Sequence, residues 1–166
     1  MLRNAALLAL FAGTITLATL DLVSAQTAAA PQGAAPPAYR PSLNDLMTAT
    51  IQPRHIKLGL AGQEQNWPYA AYELGNLKGA FNRTAQAWPT YRTTDMADLI
   101  QATIKAPMDA VAAAIKAADP QQFNEAYEQL TGTCNACHQS TDNSLVVIQV
   151  PKRSPFPDQD FRPVKP

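Results

Sequence analysis

The chain has few of the side chains that bind metals or carry redox chemistry. Among its 166 residues there are two cysteines and two histidines. A structural zinc site needs about four such ligands, and the second histidine, His55, lies far in sequence from both cysteines and His138. The sequence also lacks a βαβ alternation, the context expected for a thioredoxin-like cysteine pair. These absences make a zinc site or a thioredoxin-like active site poor interpretations of the chain.

The chain also lacks an excess of charge of either sign. It has 13 basic and 13 acidic side chains, and loss of Arg3 and Asp21 with an N-terminal leader leaves 12 of each (13 less one). No basic excess favours binding to nucleic acid, and no acidic excess favours a cationic partner. The sequence contains no arrangement of nucleophile and base that indicates hydrolysis, so we expect that the protein is not an enzyme.

Both cysteines belong to one five-residue motif, Cys134-Asn135-Ala136-Cys137-His138. The pattern C-x-x-C-H is the attachment signature of a c-type haem. In such a site two thiols add to the vinyl groups of the porphyrin, and the adjacent histidine is the proximal iron ligand. A redox pair, a metal site and a chance match are the alternatives, and a structural disulfide here would close a very short loop and stabilise little. We predict one covalent haem c, anchored by Cys134 and Cys137, with His138 on the iron.

The N-terminal residues have the three parts of a secretory signal peptide. Arg3 supplies the positive charge, residues 5–20 form the apolar part, and Val23-Ser24-Ala25 is a small-residue cleavage site. An uncleaved membrane anchor is the alternative, but the apolar part is short for a membrane span. We predict that residues 1–25 are a signal peptide cleaved after Ala25. The mature chain is then expected in the periplasm, without stable membrane insertion.

Hydrophobic periodicity in the mature chain predicts an all-α domain. Residues 26–41, rich in alanine and proline, are expected to form a disordered tether. Residues 42–143 contain four segments of helical periodicity, so short connections favour an antiparallel four-helix bundle that holds the haem. We expect Pro53 to kink the first helix and Pro107 to bend or break the third. The proline-rich residues 144–166 are expected to form an extended tail that wraps the domain.

The last helical segment places the haem motif on one stripe of the helix. The stripe has apolar and aromatic residues at its start and both thiols at its end, spaced by 4, 3, 4 and 3 residues: Phe123, Tyr127, Leu130, Cys134 and Cys137. Because apolar stripes are buried, we expect the thiols to point toward the inside of the domain.

With the haem motif near the C-terminus and four helical segments, residues 42–143 resemble the cytochrome c′ and cytochrome c-556 group of four-helix-bundle c-type cytochromes. The resemblance implies that His138 is the proximal ligand and that Cys134 and Cys137 are the thioether anchors. It also implies electron transfer with redox partner proteins, and it leaves a homodimer open because dimers are common in such cytochromes. The residues from Arg54 to Leu74 and the proline-rich ending differ from the familiar pattern, which indicates a divergent branch.

The sixth ligand of the iron decides between two functions. By the resemblance, a methionine on the first helix gives six-coordinate iron that transfers electrons, whereas an open site binds diatomic gases such as NO and CO. Met47, near the start of the first helix, is the candidate distal ligand, and a methionine that simply packs in the core is the alternative. His55 is the second candidate, about 12 Å further along the same face. Its alternative is a pairing with a buried polar group or a haem propionate.

Two further side chains extend these hypotheses. Arg54 and Lys57 are candidates to neutralise the haem propionates, although exposed charges on a helix usually face water.

A weak peroxidase is a third interpretation of the chain. It requires a polar distal pocket with a base, and His55 is the candidate for that base.

Overall fold

The fold was determined as a computed structural model, which describes residues 39–165. The predicted signal peptide, residues 1–25, lies outside the described residues, and so do residues 26–38 of the predicted tether. Within the described part, no helix has the length and apolar character needed to cross a membrane. This part is mostly helical and has one small sheet, so the prediction of the all-α class is confirmed for residues 39–165.

The helices follow the four predicted segments. Their bounds are α1 Leu43–Leu46, a π-helical turn Met47–Ile51, α2 Gln52–Gln63, α3 Trp67–Ala87, α4 Met96–Ala117 and α5 Pro120–Ser140. Helix α1, the π-helical turn and α2 follow one another without a gap and make up the first segment. Two short strands, β1 Thr90–Tyr91 and β2 Thr94–Asp95, pair antiparallel between α3 and α4. The sequence did not predict this hairpin.

Side-chain caps explain where the four helical segments begin. In each case a side-chain oxygen accepts a hydrogen bond from a backbone N–H two or three residues further on. The capping residues are Ser42, Asn66, Asp95 and Asp119, at distances of 2.9–3.3 Å. Such bonds satisfy backbone donors that the first helical turn leaves without partners.

Two prolines lie within helical segments, and the structure accommodates them differently. Pro53 is the second residue after the π-helical turn, which ends with the hydrogen bond from the Gln52 N–H to the Met47 carbonyl five residues earlier. This wider turn gives room to a residue that has no N–H and whose ring crowds the preceding turn. Pro107 lies inside α4, which continues without a break. The buried side chains of Ile104 and Met108 flank it and hold both halves of α4 in the core.

The core forms where the apolar faces of the helices meet. Helix α2 packs on α3, α3 on α4, α4 on α5, and α2 also contacts α5. Helices α2 and α5 run antiparallel: Gly62 lies against the Phe123 ring, and nearer the start of α2 the His55 Nε2 atom is 2.9 Å from Thr131 Oγ1. Toward the start of α2, each residue therefore lies beside a residue nearer the end of α5. This register directs the start of the first helical segment toward the end of α5 that carries the cysteines.

Residues 144–165 contain neither helix nor strand, yet they contact the helical part. The Gln63 amide donates to the Pro151 carbonyl at 3.0 Å, and the Asn66 amide donates to the Phe161 carbonyl at 3.1 Å. The Phe161 ring is buried and lies beside the Tyr69 ring, with 5.8 Å between their centroids. The segment is therefore attached to the connection between α2 and α3.

Candidate haem-attachment site

The two cysteines lie in the last two turns of α5, and both thiols are free. The stripe that carries them is fully buried at Tyr127 and Leu130 but only partly buried at Cys134 and Cys137. The sulfur atoms therefore lie at the border between the core and the solvent. The thiols point along the buried face, as the spacing predicts, but at the end where this face reaches the surface.

Burial keeps both thiols protonated in the folded protein. It raises the pKa of the Cys134 thiol to about 11, with a smaller contribution from the charge of Cys137. Burial also raises the pKa of Cys137. The Cys134 thiol donates to the Leu130 carbonyl, with 3.4 Å between sulfur and oxygen. Because the thiolate is the nucleophilic form of cysteine, both thiols are less reactive in this folded chain than in an unfolded one.

A backbone carbonyl fixes the orientation of His138. The Nδ1 atom of its ring is 2.7 Å from the Val146 carbonyl oxygen. A carbonyl can only accept a hydrogen bond, so Nδ1 carries a proton and donates it. In the neutral ring the lone pair then resides on Nε2, the nitrogen that is free to ligate a metal. This arrangement fits a proximal haem ligand, as the motif predicts.

Asn135, inside the motif, holds the segment that carries this carbonyl. Its amide nitrogen donates to the Ile148 carbonyl at 2.9 Å, and its amide oxygen accepts from the Ile148 N–H at 2.7 Å. The Val146 N–H donates to the Asn143 carbonyl at 2.9 Å. Sequence reasoning missed Asn135, because the variable positions of C-x-x-C-H carry no signal for a partner 13 residues away. Its side chain supports the carbonyl that orients His138.

His55 lies in a buried polar network between α2 and α5. Its Nδ1 is 3.1 Å from the Tyr127 hydroxyl, and its Nε2 is 2.9 Å from the Thr131 hydroxyl. The Tyr127 hydroxyl also lies 2.7 Å from the His55 carbonyl oxygen. Burial lowers the pKa of His55 to about 4, so the ring is neutral near neutral pH. Both ring nitrogens have partners, which is the pairing with buried polar groups considered as the alternative to ligation.

Met47 begins the π-helical turn, where it is partly buried and packs against the hydrophobic core. Continuing the antiparallel register of α2 and α5 brings this turn about level with Cys137 and His138. A π-helical turn within an α-helix is often found at a functional site. The first helical segment therefore runs toward the end of α5 that carries the haem motif, and the Met47 side chain packs against the core.

The two cationic candidates for haem propionates have other partners. Arg54 Nη1 lies 3.2 Å from a carboxylate oxygen of Glu73, whose side chain is almost completely buried. The Lys57 ammonium lies over the Phe156 ring, 4.7 Å from its centroid. Arg54 therefore neutralises a buried carboxylate and Lys57 makes a cation–π contact, which are structural roles.

Within residues 39–165 no group of three or more His, Cys, Asp and Glu side chains is arranged to hold a bare metal ion.

Comparisons of the sequence with protein-family models, with curated proteins and with solved structures found no match.

Proposed function

We propose that this chain is an exported, periplasmic c-type cytochrome that carries one covalent haem and transfers electrons. The observation that carries the proposal is the geometry of the C-x-x-C-H motif. Cys134 and Cys137 present two free thiols on one side of a helix, and His138 has its Nδ1 proton bonded to a carbonyl. The thiols would hold the haem and Nε2 of His138 would ligate its iron. When bound, the haem supplies reversible one-electron chemistry.

The proposed fold is an antiparallel four-helix bundle of the cytochrome c′ and cytochrome c-556 type. The pairwise packing of α2, α3, α4 and α5 supports this arrangement, and so does the antiparallel register of α2 and α5. Residues 144–166 would lie along the bundle as a tail, which is supported by the hydrogen bonds from Gln63 and Asn66. In this arrangement the first helical segment and the end of α5 form the two walls of the haem site.

We propose Met47 as the distal ligand. Two observations support this assignment: Met47 begins a π-helical turn, and the antiparallel register of α2 and α5, extended to that turn, points it toward the haem motif. His55 is less suited, since ligation would cost its hydrogen bonds with Tyr127 and Thr131. The main function follows from this choice: with His138 and Met47 both available to the iron, no protein ligand would have to be exchanged when the haem transfers an electron.

A second candidate function is the binding of a diatomic gas at an open distal site. One observation favours it: the Met47 side chain packs against the hydrophobic core. A methionine that remains in the core leaves the distal position to a gas molecule.

Visible spectra of the haem-loaded protein separate these functions. We expect low-spin spectra that are indifferent to carbon monoxide, and a shift toward high spin in Met47→Ala. Met108→Ala, which removes another core methionine, is the control and should leave the spin state unchanged. High-spin iron that takes up the gas in the unmodified protein would replace electron transfer by gas binding. Covalent haem that survives denaturation tests the motif itself, and its absence in the unmodified protein would refute both functions.

A further inference from the structure

Three consecutive apolar side chains next to the haem motif are exposed to the solvent. Leu145 is 87% exposed, Val146 44% and Val147 65%. We name residues 145–147 the apolar strip. Single exposed apolar residues are common on protein surfaces, whereas a contiguous apolar patch of about a few hundred Å² is often functional.

The apolar strip is held in place by hydrogen bonds on one side of its backbone. The Val146 carbonyl accepts from His138, and the Val146 N–H donates to the Asn143 carbonyl. Immediately after the strip, both backbone groups of Ile148 bond the Asn135 amide. The backbone at residues 146 and 148 is thus bound to the domain, while the side chains of Leu145 and Val147 face the solvent. A fixed surface loses little conformational entropy when a partner binds it.

The segment that contains the strip carries no charge. Residues 143–151 contain no charged side chain. The nearest acidic residue before them, Asp142, forms an ion pair with Arg92. The next charged side chains along the chain, Lys152 and Arg153, are exposed five and six residues beyond Val147. The strip itself offers no charge to a partner, and an uncharged apolar face is complementary to it.

We propose that the apolar strip is the docking surface for a redox partner protein whose contact face is apolar and uncharged. This inference rests on the proposed function. One electron passes between the partner and the haem iron, and no atom is transferred. The Val146 carbonyl and its hydrogen bond with His138 provide a short connection from the strip to the iron ligand.

The size of the strip favours a transient partner over a second copy of this chain. A stable interface buries about 800 Å² on each partner, which is more than three small side chains provide. Complexes between electron-transfer proteins are at the lower end of interface sizes. A small, fixed and uncharged surface therefore suits a partner that binds briefly.

Protein voltammetry on coated gold electrodes tests the inference with a defined partner surface. Methyl-terminated alkanethiol layers present an apolar face, and carboxylate-terminated layers present a charged one. We expect the haem-loaded full mature chain to exchange electrons faster on the methyl layer, with little effect of ionic strength. The double substitution Leu145→Ser, Val147→Ser should lower the rate on the methyl layer by about tenfold or more, because the apolar contact is lost.

Val164→Ser is the matched control, because Val164 is 93% exposed and lies outside the strip. It should leave the rate unchanged. An equal loss of rate in the control, or no loss in the double variant, would overturn the docking surface. A changed visible spectrum of the double variant would also overturn the docking surface, because it would assign the strip to the haem pocket. A dimer that the double substitution dissociates in sedimentation would assign it to a second copy. Absence of covalent haem would refute the proposed function, whereas native spectra with unaffected rates would refute this inference alone.

Discussion

The buried ring of His55 makes the stability of the folded protein depend on pH. Its pKa is about 4 in the folded state, against 6.5 for an exposed histidine. As the pH falls below 6.5, the unfolded chain therefore binds a proton that the folded protein does not. The free energy of unfolding decreases down to about pH 4, where the folded state is protonated as well. Between pH 7 and pH 5 this loss amounts to about 2 kcal/mol.

Urea denaturation of the haem-free protein at pH 7 and pH 5 measures this contribution. His55→Gln should be less stable at pH 7, but its stability should fall less between the two pH values. The partly exposed His138 is present in both proteins and so cancels from the comparison. Equal pH slopes for the two proteins would show that His55 is not protonated on unfolding in this range.

Asn135 has a testable role at the same scale. Asn135→Ala removes both partners of the Ile148 backbone and releases the segment that carries the Val146 carbonyl. We expect a loss of stability of about 1–2 kcal/mol. We also expect His138 to lose its single tautomer, because the acceptor of its Nδ1 proton is no longer fixed. Nitrogen NMR of the haem-free protein reports the tautomer directly.

Gln139→Ala is the control for Asn135→Ala, since Gln139 is exposed on the same helix end. It should change neither stability nor tautomer. A proton that remains on Nδ1 in Asn135→Ala would mean that the Val146 carbonyl keeps its position without Asn135.

At the scale of the helices, the close approach of α2 and α5 depends on two glycines. A Cβ at Gly59 would lie 2.5 Å from the Tyr127 ring, and one at Gly62 would lie 2.0 Å from the Phe123 ring. Both rings are fully buried. Gly59→Ala and Gly62→Ala should each destabilise the protein by about 1–3 kcal/mol, because the helices must separate or the rings must move.

Two other helical glycines provide controls of opposite sign. A Cβ at Gly75 or Gly132 would meet nothing within 4 Å. Gly75→Ala and Gly132→Ala should therefore stabilise the protein by up to about 1 kcal/mol, since alanine favours the helix. Thermal unfolding of the four variants measures their stabilities. Changes in stability of the same sign in all four would contradict the close approach of α2 and α5.

These elements also show what the sequence can and cannot predict. Helix starts at Ser42, Asn66 and Asp119 depend on neighbours within three residues, so the sequence contains the information. The π-helical turn over Met47–Ile51 did not follow from the sequence, because Pro53 signals a disturbance without specifying its form. The hairpin was missed because its strands have only two residues each.

The candidate site also has features that the sequence predicts and features that it does not. The spacing of Cys134, Cys137 and His138 identifies the chemistry, because haem attachment needs these groups side by side. The partners of His55 could not be predicted, since Tyr127 is 72 residues and Thr131 76 residues away. The role of Asn135 depends on the path of residues 146–148, a segment without periodicity that could indicate its position.

At the scale of the whole molecule, the irregular C-terminal segment is bound to the connection between α2 and α3. Asn66, which caps α3, donates to the carbonyls of Phe161 and Arg162, each at 3.1 Å. The Phe161 ring is 6% exposed and lies next to Tyr69 and Phe156. One aromatic side chain thus joins the last residues of the chain to the connection between α2 and α3.

Phe161→Ala should therefore destabilise the whole domain rather than loosen the C-terminal segment alone. Removal of a buried phenylalanine side chain costs about 3–5 kcal/mol, and we expect the lower end because the segment lies at the surface. Val164→Ala, three residues further on and exposed, should change the stability by less than about 0.5 kcal/mol. Urea unfolding followed by far-ultraviolet circular dichroism measures the helices, none of which contains the substituted residue. If Phe161→Ala leaves that transition unchanged while the segment becomes sensitive to protease, the segment is bound to the helices without contributing to their stability.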